Sequence, residues 1–267
     1  MSDLPPPGRS VPARLGVLAE MDGDELVLSL VPRPEHLHHG RVRASVHAFL
    51  VDLICGLRNN IGFDLWTLTN DLSLRALPVP APARITARAT SVRKGRRTAT
   101  WSVDIDAAGE IVAIGAAGFV ILDRRPGDPP KPDTSPASAQ ERFTGNLEFL
   151  SSPLREEAAI ESIDPRTGTV EVEVTHELLN TNGTMQGAMI ALVAESAAED
   201  FVQSRYGVSA VISELDIRYL NRIESGRLRA SCRMLGDGPT ATIEVRLEDL
   251  DRERNTTLVY ARATVID

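Results

Sequence analysis

Shifted by 143 positions, the second half of this 267-residue chain repeats the first. Gly40 falls on Gly183 and Asp52 on Glu195. Asp71-Leu72-Ser73-Leu74-Arg75 falls on Glu214-Leu215-Asp216-Ile217-Arg218, reproducing acid, Leu, polar, aliphatic and Arg in order. One register holding all of these matches marks an internal duplication. The chain must therefore fold as two copies of one unit. The run from Arg124 to Gln140, rich in Pro, Ser and Asp, separates them and reads as a linker too polar to fold. The expected division is residues 1–125, a linker over 126–145, and residues 146–267. The opening PPPGRSVP reads as a second such segment.

Each half has the same pattern. Leu26, Leu28 and Leu30 alternate with more polar neighbours, as do Val170, Val172 and Val174, which predicts strands. A polar loop follows, then a helix apolar on nearly all sides, over Val42–Leu57 and Gly187–Gln203. Four strands complete each half: Leu68–Leu74, Arg84–Val92, Thr98–Asp106 and Ile111–Leu122, then Val211–Tyr219, Arg227–Leu235, Thr240–Leu247 and Thr257–Ile266. Lys94–Arg96 and Gly236–Gly238 are tight-turn signals. A helix apolar all round needs wrapping, and a long antiparallel sheet supplies it. An α+β fold is expected.

Composition narrows the function classes. A formal charge of −8 disfavours a general nucleic-acid partner. The two cysteines, Cys55 and Cys232, lie in apolar surroundings and show no zinc-ligand spacing, so they read as buried thiols. The N-terminus lacks signal-peptide character, and the apolar runs Phe49–Cys55 and Gly187–Ala198 are too short to span a bilayer. A cytoplasmic protein without membrane insertion is expected. His36, His38 and His39 form a polar loop with no partner acids at ligand spacing, so neither a metal nor another cofactor is expected.

One strand, a polar loop, a buried helix with an acid, then four strands resembles the hotdog fold, here as a tandem double hotdog. The second half is similar to thioesterases of the phenylacetate-pathway and 4-hydroxybenzoyl-CoA types. Asn180, Gly187 and Glu195 have the spacing of their helix opening, and Ser213 stands where some members carry a hydroxyl. Gln186 replaces the His often found before the helix glycine. In the first half the acid, Asp52, remains, but Leu37 and Ala44 hold the Asn and Gly positions. The resemblance implies an acyl-CoA thioesterase whose sites lie between paired units. Asn180 and Gly187 would then face Asp52, while Glu195 and Ser213 would face the degenerate loop. Asp52 with Gly187 and Asn180 is the favoured site, and Glu195 is the rival acid. The resemblance also implies association of these pseudo-dimers into a homo-oligomer.

The chemistry fits these residue types. An unpaired N–H at a helix start carries positive partial charge and suits a developing oxyanion, and glycine lets a carbonyl approach it. A carboxylate in a greasy helix is costly unless paired or functional. It would act as general base or as nucleophile. The basic turn Arg93, Lys94, Arg96 and Arg97, with Gln186, is the candidate contact for CoA, and Arg218, Arg222, Arg227 and Arg229 are weaker ones. Two other readings remain: a non-catalytic acyl-CoA-binding protein, and the hydratase branch of the fold, which places an Asp five residues before a His. No such pair occurs in the sequence.

Overall fold

The computed structural model describes residues 10–61, 65–124, 135–144, 148–180 and 182–266. The first unit runs β1 (Leu18–Asp22), β2 (Glu25–Leu30), a small hairpin of β3 (Leu37–His38) and β4 (Arg41–Val42), helix α1 (Ala44–Asn60), then β5 (Trp66–Ala76), β6 (Ile85–Lys94), β7 (Thr98–Ala107) and β8 (Glu110–Leu122). Helices α2 (Pro136–Thr144) and α3 (Leu154–Glu157) follow. The second unit runs β9 (Glu161–Asp164), β10 (Thr169–Val174), α4 (Gly187–Tyr206), β11 (Ala210–Tyr219), β12 (Gly226–Leu235), β13 (Thr242–Asp249) and β14 (Arg254–Val265).

Twelve strands form one sheet in the order β1-β2-β6-β7-β8-β5-β11-β14-β13-β12-β10-β9, and every strand pair described is antiparallel. The order is the same read from either end once β1 is matched with β9, β2 with β10 and so on. The two units join where β5 pairs with β11, with Ser73 opposite Asp216. These are the same position in the two repeats, so a pseudo-twofold axis passes between them. Arg75 of β5 reaches across this seam to Glu214 and Asp216.

Alternation explains the strands. Val170, Val172 and Val174 point inward on β10, and Glu171 points outward to pair with Arg229 of β12. Inside the sheet lie α1 and α4, packed on each other. Leu50 and Ile54 of α1 and Leu192 and Val193 of α4 are fully buried. Such side chains contribute about 1.5–3 kcal/mol each on leaving water. Gly115 of β8 lets the sheet close on α1, since a Cβ there would lie 2.6 Å from Val51 Cγ2.

Two segments are more ordered than the sequence suggests. Residues 125–134 of the expected linker lie outside the described residues. Pro136–Thr144, however, is a helix with Ala139 buried, packed against β1. Ser135 caps it, its Oγ accepting from Ser138 N at 3.2 Å, with Pro136 next in the first helical position. That start signal outweighs the polar composition. Near the N-terminus, Val11 is buried and its N–H donates to Glu177 O at 2.9 Å, while Arg14 pairs with Glu157. This short segment fastens the first unit to the second. Among the described residues, no helix is long and apolar enough to cross a membrane.

Candidate active site

Duplication and the helix rise fix the geometry. Asp52 stands eight residues into α1, and Glu195 eight residues into α4. At about 1.5 Å per residue, each acid lies about 12 Å from its own helix start. The helices run antiparallel, so each acid meets the start of the other helix. The two meetings differ.

At the first, Asp52 faces the start of α4. A Cβ placed on Gly187 would lie 3.1 Å from Asp52 Oδ2 and 2.9 Å from Tyr219 Oη. The absence of that carbon is what allows the carboxylate, the phenol and the helix start to converge. Thr69 of β5 donates its hydroxyl to Asp52 Oδ1 at 2.8 Å. Gln186 donates Nε2–H to Asp52 Oδ2 at 3.1 Å, and its Oε1 accepts from Ala188 N at 2.6 Å. Gln186 is thus both the cap of α4 and a partner of the acid. Met189 and Ile190 N–H donate to Gln186 O. No described residue accepts from the N–H of Gly187, so this amide is the open donor of the helix start. A bulge after Thr69 breaks the strand alternation. Bulges re-aim side chains in this way, and Thr69 turns to the helix. Burial raises the pKa of Asp52, and the bonds from Thr69 and Gln186 act against that rise. Asp52 as a whole residue is half-buried.

At the second meeting, Glu195 is 1% exposed and occupies the start of α1 itself. Its Oε1 accepts from Ala44 N at 2.7 Å. Oε2 accepts from Ser45 N at 3.2 Å and Ser45 Oγ at 2.5 Å. Arg43, buried beside it, pairs with Glu199 at 2.9 Å and stands 3.7 Å from Glu195. Burial, then Glu199, pushes the Glu195 carboxyl up, while Arg43 and Ser45 oppose this. The amides that would receive an oxyanion already hold a carboxylate. The rival acid fills its own site.

The remaining sequence candidates fall as follows. Asn180 closes the loop before α4: its Oδ1 accepts from Asn182 N at 2.8 Å and its Nδ2 donates to Thr184 Oγ1 at 3.0 Å. No described bond joins it to Asp52. Ser213 is buried at the matching bulge of β11 and shares a 2.8 Å bond with Thr264 of β14, and no described bond joins it to Glu195. Arg93, Lys94, Arg96 and Arg97 are exposed at the β6–β7 turn. Lys94 Nζ donates to Asn59 O at the end of α1, and Arg97 pairs with Asp123. His36 and His38 are held near pKa 4, chiefly by burial. Among the described residues no group of His, Cys, Asp and Glu is arranged to hold a metal. Two surface clefts, of about 280 and 340 Å³, lie away from Asp52 and Gly187; the first is lined largely by glutamates, including Glu161, Glu171 and Glu173.

Sequence reasoning passed over Thr69, Tyr219, Arg43 and Glu199. The bulge that re-aims Thr69 has no sequence signal. Arg43 immediately before a helix with an acid at the matched position of its partner was a visible one.

With this geometry, solved structures show the class of fold. The tesB protein of Mycobacterium avium subs paratuberculosis superposes with a TM-score of 0.65 at 11% identity, over 96% of this chain and 98% of that one. An acyl-ACP thioesterase of Bacteroides thetaiotaomicron gives 0.61 at 9%, over 89% and 97%. A conserved protein of unknown function with hot dog fold from Alicyclobacillus acidocaldarius gives 0.61 at 12%, over 96% and 98%. The chain has the double hotdog fold. At the level of sequence, neither a family model nor a curated protein matches it.

Proposed function

We propose that this protein is a thioester hydrolase acting on acyl-CoA, with one working site per chain at Asp52, Thr69, Gln186 and Gly187. The observation that carries the reading is the Asp52 carboxylate, held by two donors, beside the open amide of Gly187. The acyl-ACP thioesterase among the structures of like fold supports the class.

The acyl carbonyl oxygen takes the Gly187 N–H, and a water stands against Asp52. Asp52 accepts a proton as the water oxygen bonds to the carbonyl carbon. The tetrahedral oxyanion is stabilised by the amide and the helix start. Collapse breaks the carbon–sulfur bond, and the thiolate leaves and takes up a proton. Each carboxylate oxygen of Asp52 accepts a hydrogen bond, and the two bonds fix the acid in place for proton transfer from water. Burial supports the role too, since a raised pKa makes a carboxylate a better base. Lys94, tied to the end of the helix that bears Asp52, makes the basic turn the proposed contact for CoA phosphates. Asn180 is proposed to shape the loop rather than to touch substrate. Association of these pseudo-dimers is the proposed assembly.

Thiol release from acyl-CoA of graded chain length tests this. The wild type is expected to turn over and Asp52→Asn to lose most of its kcat. A wild type that binds acyl-CoA but releases no thiol at any chain length would make the protein a binder instead.

A further inference from the structure

Tyr219 lies at the end of β11, outside the residues that the proposed chemistry uses. Its Oη donates to Gly187 O at 3.2 Å. That carbonyl belongs to the same peptide group as Ala188 N, which donates to Gln186 Oε1 at 2.6 Å. Gln186 Nε2 then donates to Asp52 Oδ2 at 3.1 Å. All three donors point the same way, from phenol through peptide through side-chain amide to carboxylate. Hydrogen bonds linked in this sense through amides polarise one another. The orientation of the Gln186 amide is fixed by chemistry: a backbone N–H only donates, so Oε1 must face Ala188, leaving the NH₂ for Asp52.

We infer that Tyr219 is a positioning residue that acts on Asp52 through this three-link chain, by polarising the Gly187–Ala188 peptide and locking the Gln186 amide. The inference rests on the proposed role of Asp52. The other half of the molecule provides an internal comparison. At the positions matching Tyr219, Gln186 and Gly187 stand Ala76, Arg43 and Ala44, and there the acid plugs the helix start. The chain exists only in the half whose site is open.

The titratable groups around Asp52 are few among the described residues. Cys55 stands one turn along α1, its thiol pushed up by burial and then by Asp52. Tyr219 comes from β11, its phenol raised by burial, then by Asp52 and Asp71, so it stays a donor. Asp71 is on β5, and the start of α4 brings Gln186 and Gly187. None is a cation.

The test is a titration of the Asp52 carboxyl carbon by NMR in the ligand-free protein, assigned with Asp52→Asn. Tyr219→Phe is expected to raise the midpoint by about half a pH unit, because a weakened donor chain stabilises the anion less. Gln186→Met is expected to raise it further, and Tyr219→Phe added to Gln186→Met to change nothing more. The idea is overturned if Tyr219→Phe leaves the midpoint in place, or shifts it equally with Gln186 absent. The acid limb of kcat/KM should move with the midpoint, which a packing role would not cause. If the midpoints behave as expected while the wild type releases no thiol, the hydrolase reading falls and the chain stands. The reverse result separates them the other way.

Discussion

Glu195 Oε1 accepts a 2.7 Å hydrogen bond from Ala44 N, the amide at the position matching Gly187. The same fold therefore presents one helix start plugged by an acid and one left open beside an acid. An extra methylene lets Glu195 reach the amides, where the shorter Asp52 is drawn off to Thr69 and Gln186.

Glu195→Ala is expected to unfold more easily by about 3–5 kcal/mol, because it leaves three buried donors, Ala44 N, Ser45 N and Ser45 Oγ, without their acceptor. Thiol release per folded molecule should stay within a few-fold of wild type. Urea denaturation and a turnover assay on the folded fraction measure the two quantities. A large loss of turnover in the folded fraction would move the live site to Glu195.

Asp52→Asn is expected to cost about 10²–10⁴ in kcat while leaving the urea midpoint unchanged or higher. The pH profile carries the sign. The base works only when ionised, so kcat/KM of the wild type falls as pH drops through the raised pKa of Asp52. That acid limb should lie above the ordinary Asp value of 3.8. Thr69→Val removes a bond that favours the anion, so its limb should lie higher still, and loss of the bond that orients the carboxylate should cost about tenfold in rate at neutral pH. A limb that moves down would exclude Thr69 as a donor to the ionised acid.

The duplication, the long helices and ten of the strands were legible in the sequence because periodicity and repeats report burial directly. The pairing of Asp52 with the start of α4 was legible only through the family resemblance laid over the repeat, since nothing local in either helix names its partner. Which acid plugs and which stays open was not legible. It depends on a methylene, on Arg43 drawing Glu199 inward, and on a bulge at Asn70 that turns Thr69 inward. Asn180 and Ser213 sat at the right spacing, but short polar side chains beside turns and bulges satisfy the local backbone or a neighbouring strand first.

Buried histidines predict how stability follows pH. His47 is 4% exposed and burial holds it near pKa 4, against an ordinary 6.5. Its neutral form is favoured in the fold, so its contribution is fully present above 6.5 and is lost as pH falls toward 4. His47→Leu should therefore reduce the slope of unfolding free energy against pH in that window, by up to about 1.36 kcal/mol per pH unit. Denaturant melts of both proteins at pH 7, 5.5 and 4.5 give the difference. Equal slopes would mean that His47 is reached by solvent protons without unfolding.

Gly187→Ala tests the close approach at the open helix start. The added carbon would fall 2.9 Å from Tyr219 Oη and 3.1 Å from Asp52 Oδ2, closer than such atoms rest. Gly187 lies in a helix, so alanine suits the backbone and gains up to about 1 kcal/mol in propensity. That gain offsets part of the crowding, and the protein should fold with near-normal stability. The cost should fall on the chemistry, since a displacement of about 1 Å between carboxylate and amide is enough for about 10² in rate. Gly56→Ala on the other helix, where a Cβ meets nothing within 4 Å, is the control. It should gain stability with turnover intact, so a comparable loss in both variants would detach the rate from the geometry at Gly187.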